Sequence, residues 1–380
     1  MFRTQRFSLI LSLTICLLML ACSGGNNPEE GPDPVDPPID TTPVFKLTQL
    51  GQISPRPEID GNLPSNGNTS GGIYQGVSAY LAADGKEYGL ITSSVGLSIV
   101  DVSDPANMME VQLVELDGGA VHRDVEVYQN YAYVGGQEGS TTSILDLSGL
   151  PNAAPIVNII TPSLDFSHTL NIAGDLLYLN SARGECRVYE LSNPTNPGLL
   201  KVLTGGDCHD SFVRGNLMVS ADGWLGVYTL IDISDLDNPV VLGATTYNED
   251  IYAHSAWISE DSTTLYAFEE ANSLDVMIYD ITDPSNPTLL STFQMPENTL
   301  LHNGALRDGY LFLAYYESGL VVVDVHDPAN PVLAAQALTW SAAPTGYFNG
   351  GWNVNLSLPS GKILVSDTKS GLFVFRAGVE

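Results

Sequence analysis

The chain has 380 residues, with 44 Asp and Glu against 14 Lys and Arg, and a formal charge of −30. A surface of that sign repels phosphate backbones and anionic lipid headgroups alike, which excludes nucleic-acid binding. Four cysteines are too few for a disulfide framework, so a hydrophobic core has to carry the stability.

In chain order, Arg3 and Arg6 precede an apolar run from Phe7 to Leu20 that is too short for a typical membrane span and reads as a signal peptide over residues 1–21. It ends in Met19-Leu20-Ala21-Cys22, which resembles the lipobox, so Cys22 is the expected lipidation site. Loss of the two arginines takes the mature chain to −32. The rest of residues 22–43 holds six prolines, five acidic residues and almost nothing apolar, the composition of an extended tether. The expected location is the cell envelope, lipid-anchored in the outer membrane and surface-exposed. Cys186 and Cys208 remain, and an oxidising compartment would allow them to pair.

Residues 44–380 repeat. GLSIVDVSDPANMMEV from Gly96, TSILDLSGLPNAAPIV from Thr142, RVYELSNPTNPGLLKV from Arg187, YTLIDISDLDNPVVLG from Tyr228, VMIYDITDPSNPTLLS from Val276 and GLVVVDVHDPANPVLA from Gly319 are one pattern, with GLFVFR from Gly371 a truncated seventh. Their acidic landmarks, Asp101, Asp146, Glu190, Asp232, Asp280 and Asp324, recur every 42 to 48 residues, the period of a propeller blade. Each unit holds four short runs rich in Val, Ile, Leu and Tyr, separated by Gly, Asn, Asp and Pro. The sequence therefore predicts an all-β, seven-bladed propeller of four-stranded blades. The Asp-Pro-x-Asn-Pro segments read as turn chemistry, the acidic landmark accepting backbone N–H groups. The last unit lacks a fourth strand, and Pro43-Val44-Phe45-Lys46-Leu47 matches the fourth-strand opening Pro239-Val240-Val241-Leu242-Gly243. An N-terminal strand is thus expected to complete the last blade and close the ring.

Strands such as Leu97-Ser98-Ile99-Val100-Asp101 resemble the LVIVD repeats of microbial cell-surface proteins. More narrowly, GKEYGLITSSVGLSIVDVSDP, HRDVEV, DCHD, AHSAW, LHNG, FNGGWNV and SGKILVSDTKSGLFVFR resemble the choice-of-anchor B family in content and order. That resemblance implies an anchored surface domain and no established reaction.

Five of the six histidines, His122, His168, His209, His254 and His302, recur at the start of the first strand, with Gln75 and Asn349 in the other two units. The first strand of a blade is innermost, so these seven are expected to ring one mouth of the central channel. Imidazoles with Asp124, Asp210 and Asn303 offer nitrogen and oxygen donors to a sugar or a divalent cation, while the alternative role for a repeated histidine is hydrogen bonding between blades. Loops on the same face carry Arg183, Trp224, Glu269, Glu270, Tyr315, Tyr316, Glu317, Asp367 and Lys369 as candidate partner contacts, the alternative for Tyr315 and Tyr316 being that they merely cover strand edges. No HExxH, paired CxxC, phosphate-binding glycine loop or EF-hand occurs, and a ring of like side chains offers no differentiated acid, base and nucleophile. The expectation is a non-catalytic platform for an extracellular protein, peptide or glycan, held to the membrane by the lipid on Cys22 and needing no cofactor. A hydrolase or lyase working in the histidine-lined mouth with a divalent cation is the alternative.

Overall fold

Seven four-stranded antiparallel sheets follow one another, the strands of each pairing in sequence order save in the last, where the first strand of the chain takes the outer edge. The computed structural model describes residues 45–56, 73–116, 121–137, 141–160, 167–181, 183–247, 251–270, 276–295, 300–341 and 348–379. The leader, Cys22 and the tether lie outside the described residues.

The first strands of blades 1 to 7 are Tyr74–Leu81, Val121–Tyr128, Thr169–Ala173, Asp210–Arg214, Ala253–Ile258, Asn303–Arg307 and Gly351–Asn355. Each contacts the first strand of the next blade, and that of blade 7 returns to that of blade 1. They form the inner wall. Third strands such as Gly96–Asp101 and Gly319–Asp324 are buried along nearly their whole length, because both sheet faces pack against neighbouring blades. Fourth strands such as Val240–Ala244 and Thr288–Phe293 lie outermost and are largely exposed.

Local chemistry sets the turns. Asp101, Asp232 and Asp280 each accept the backbone N–H two residues on, at 3.0, 2.8 and 2.8 Å. Asp235 accepts both Asp237 N–H and the Asn238 side-chain amide, and these bonds hold its carboxyl below the usual carboxylate range. The landmark acids are thus turn residues.

Blade 7 is completed by Phe45–Ile53, which pairs antiparallel with Gly371–Val379 from Phe45↔Val379 to Ile53↔Leu372. The register differs by four residues from the one read in the sequence. Gly51, not Leu47, pairs as Gly243 does, just past the bulge that every described third-to-fourth strand pair carries. The fit requires glycine, since a Cβ on Gly51 would stand 2.0 Å from the Pro105 carbonyl oxygen, and one on Gly243 2.4 Å from that of Pro284. At the same seam the buried Lys362 donates to Glu87 of blade 1 at 2.8 Å and to the carbonyls of Val102 and Ser103.

Candidate functional site

A funnel of roughly 730 Å³ opens along the propeller axis, lined mainly by the first strands of blades 3 to 7. Its mouth is an arc of rings. His168 and His209 have centroids 4.3 Å apart, His209 and His254 4.6 Å, His254 and His302 4.2 Å, and His302 and Trp352 3.8 Å.

Backbone register explains the arc and revises its membership. The residue after each ring position pairs with the end of the second strand: Thr169↔Asn180, Asp210↔Ala221, Ser255↔Phe268, Asn303↔Ala314 and Asn353↔Ser366. The ring residues are therefore His168, His209, His254, His302 and Trp352. In blade 2 the bulge lies between His122 and Asp124, so in backbone register it is Arg123, not His122, that is equivalent to His168 and His209. Gln75 falls at the bulge between Tyr74 and Val77, as the repeat implies, and is buried. Asn349 precedes the ring by three residues, and its amide donates to Glu317 at 3.1 Å.

These residues tie each blade to the next. Thr169 Oγ1 donates to the His209 carbonyl at 3.1 Å, His209 Nδ1 to the His254 carbonyl at 2.9 Å, Ser255 Oγ to the His302 carbonyl at 3.2 Å, and His302 Nδ1 to the Trp352 carbonyl at 2.6 Å. A carbonyl has no proton to give, so His209 and His302 carry theirs on Nδ1. The interblade role of the histidines is thus real, and it uses one side of the ring. At His254 and His302 the Nε2 atoms turn to Glu270, 3.6 and 3.8 Å away. Burial, together with the neighbouring histidines, holds His254 well below the usual imidazole range, so it is neutral.

Beneath the arc sit three carboxyl groups. Burial pushes Asp210 up to about 8, helped by the charge of Asp124; it pushes Glu126 up to about 8, again with Asp124; and Asp124 itself goes up to about 7. Asp210 accepts Ser211 N–H at 2.7 Å and Thr169 Oγ1 at 3.0 Å, and Asp124 accepts the N–H of Leu170 across the blade boundary at 2.9 Å. The funnel of a strongly acidic protein is therefore close to neutral at mildly acid pH.

The sign for stability follows. Unfolded carboxyls ionise near pH 4, whereas these three stay protonated in the fold up to their raised values, so the folded state holds more protons between about pH 4 and 8 and stability falls as pH rises through that window. Asp210→Asn should remove its share of the dependence. The expected result is a variant more stable than wild type at pH 8.5 by on the order of 1 kcal/mol and nearly equal at pH 5, read by urea unfolding. Parallel curves would assign the dependence to general charge repulsion.

The loop residues divide. Trp224 is 76% and Leu225 63% exposed, and Arg183 is exposed as well. The Trp224 ring meets Tyr252 edge-on at 4.7 Å, and Tyr252 reaches His209 at 5.1 Å and His254 at 6.2 Å. The expectation of exposed contacts fails at Tyr315, Tyr316, Glu317, Glu269 and Asp367, all of which are buried. Their polar ends serve the fold: Tyr315 OH accepts Met295 N–H, Tyr316 OH donates to Glu270 at 2.6 Å, and Glu269 accepts Tyr252 N–H. Asp367 accepts the N–H groups of Lys369 and Ser370. Both cysteines are free and buried; the Cys208 thiol donates to Asn180 Oδ1 at 3.4 Å.

Sequence reasoning missed Trp352, Arg123 and Tyr252. The signal for the first two was a residue in the register of His209 followed by Asp, Asn, Ser or Thr, as in His209-Asp210, His302-Asn303, Arg123-Asp124 and Trp352-Asn353.

LVIVD repeats match residues 87–115, 118–152, 252–294 and 305–339. No curated protein is detectably similar in sequence. Among solved structures, YCF48 bound to D1 peptide is similar with a TM-score of 0.58 at 12% identity, over 87% of this chain and 96% of that one. A chain of the mitotic checkpoint complex has a TM-score of 0.59 at 13% identity, over 95% and 99%. The periplasmic gluconolactonase PpgL of Pseudomonas aeruginosa has a TM-score of 0.57 at 10% identity, over 78% and 96%. At these identities the likeness is one of fold.

Proposed function

We propose that this propeller is a non-catalytic binding module which takes an extended peptide segment of an extracellular protein into the histidine-bearing mouth, and that the lipid on Cys22 tethers it to the cell surface. The observation that carries the reading is the aromatic path from exposed Trp224 through Tyr252 to His209 and His254, leading from solvent into the funnel. An exposed Trp beside an exposed Leu is what an apolar side chain of a peptide recognises, and such anchors dominate interfaces. The funnel admits a single chain, not a folded domain, and its walls supply neutral carboxyl, amide and hydroxyl groups that pair with peptide groups without a charge penalty. A peptide complex of a similarly folded protein supports the reading by analogy.

Trp224→Ala and Tyr252→Ala are each expected to weaken peptide binding by about 30-fold, the effect of losing an aromatic anchor worth about 2 kcal/mol. Isothermal titration with peptides selected from a random display library measures this. Binding unchanged in both variants would place the contact elsewhere, and selection of glycans in preference to peptides would replace the ligand class. A hydrolase or lyase is the second reading, favoured by the approach of His254 and His302 to Glu270. It requires turnover that is lost in Glu270→Gln.

A further inference from the structure

We propose that His254, His302 and Glu270 form a binding site for one divalent transition-metal cation at the funnel mouth. The ligand atoms of the three residues lie within 4.8 Å of one another. His254 Nε2 is 3.6 Å from Glu270 Oε2, and His302 Nε2 is 3.8 Å from Glu270 Oε1. A tetrahedral ion with bonds near 2.0 Å holds its ligand atoms about 3.3 Å apart, so the two histidine–carboxylate approaches are nearly at coordination spacing and the widest pair has to close by up to about 1.5 Å, within reach of side-chain rotation.

The surroundings prepare all three for this role. A ligating imidazole is held by a hydrogen bond from its other nitrogen, which fixes the tautomer and aims the lone pair. His302 has that bond from Nδ1 to the Trp352 carbonyl; the Asn303 amide nitrogen stands 2.9 Å from the same Nδ1, and an amide flip, which exchanges two atoms of like shape, puts its oxygen there as a second acceptor. His254 Nδ1 lies 3.3 Å from Ser255 Oγ, whose own proton goes to the His302 carbonyl, so Ser255 accepts from His254. Both Nε2 atoms are left as lone-pair donors directed at Glu270. Glu270 is held in turn by Tyr316, whose OH donates to Oε1 at 2.6 Å. This gives the buried Tyr316 a purpose, and the ligands come from two adjacent blades: His254 lies at the start of the first strand of blade 5 and Glu270 just past the paired end of its second strand, and His302 precedes the first strand of blade 6.

Two imidazoles and one carboxylate suit zinc or a neighbouring transition ion, whereas magnesium and calcium prefer oxygen alone. His254 and His302 are nearly buried, yet both line the funnel with Glu270, so the remaining coordination position faces the cavity. A donor atom of the funnel's occupant, or water, would complete the shell. The large negative charge of the chain concentrates cations around it.

The test is a titration of the chelator-stripped full chain with zinc chloride alone, in competition with a chromophoric chelator. One tight equivalent per chain is expected. Glu270→Gln and His302→Gln should each lose about 100-fold or more in affinity, and Tyr316→Phe about 10-fold, as for an outer-shell partner. His326→Gln, at an exposed histidine beside Asp324 and outside the funnel lining, should stay within about threefold of wild type. Saturating zinc should raise the melting temperature of wild type and not of Glu270→Gln, which separates lost binding from lost folding. Absence of a stoichiometric site, or equal zinc uptake by wild type and Glu270→Gln, would overturn the proposal. No peptide is present, so this result and the peptide result fail independently.

Discussion

Deleting residues 44–50 is expected to lower the melting temperature of the entire propeller by about 10 °C or more, or to leave no cooperative transition. The segment is most of the outer strand of blade 7, and it contributes more than backbone pairing. Phe45 packs on Tyr310 at 4.4 Å and approaches Phe312 at 6.4 Å, so blade 7 grips blade 6 through it. Leu47 also packs on the buried cluster holding Phe373 and Phe375, and Leu50 on the one that joins blades 7 and 1. Each half-buried Leu or Phe contributes about 1–2 kcal/mol, and deletion also leaves the strand Gly371–Val379 with an unpaired edge. The loss, on the order of 5 kcal/mol, is comparable to the net stability of a typical fold. The ring has one closure, so the damage cannot stay local. A deletion variant that melts like wild type would mean that blade 7 is stable with three strands.

Lys362→Ala is the second large effect, at the same seam. The Lys362 ammonium is buried and satisfied three times over, by Glu87 and by the carbonyls of Val102 and Ser103. Glu87 also accepts the N–H and hydroxyl of Ser360 at 3.1 and 2.8 Å. Burial alone would raise the Glu87 carboxyl, but these bonds outweigh it and hold the group below the usual range. Removing the lysine leaves a buried carboxylate and two carbonyls without their donor, at a cost of about 3–5 kcal/mol. The sign with pH is opposite to that of Asp210: the stabilisation through Glu87 is present above its unfolded value, near pH 4.5, and is lost as pH falls through its depressed folded value. The double variant Glu87→Gln, Lys362→Met should recover much of the loss, because no charge is then left buried. Urea midpoints of the single and double variants measure both, and a single variant within about 0.5 kcal/mol of wild type would show the pair to be dispensable.

Much of the fold was legible because a propeller writes its period into the chain. The landmark Asp and the Asp-Pro-x-Asn-Pro turns mark the same corner of each blade, and their hydrogen bonds are local in sequence. Register was harder to read. A bulge adds one residue without changing the composition, so in blade 2 it moved the backbone equivalent of His168 and His209 from His122 to Arg123, and Trp352 went unnoticed because it is not a histidine. The closing strand was found but set four residues early, because the alternation in Val44-Phe45-Lys46-Leu47 resembles a strand start and the Gly51 contact with Pro105 leaves no trace in sequence. For Tyr315 and Tyr316 the sequence leaves partner contact and the covering of strand edges equally open, and burial of both favours the second. The approach of Glu270 to His254 and His302 depends on strand pairing within blade 5 and on its packing against blade 6, neither of which the spacing of the three residues in sequence displays.

Whether the histidine-bearing mouth binds peptide is decided by one comparison: the affinity of library-selected peptides for wild type and for Trp224→Ala, measured at pH 6.5. Peptides that bind wild type and lose about 30-fold on the variant are expected. Peptides that bind both equally, or no enrichment of peptides at all, would contradict peptide binding at this mouth.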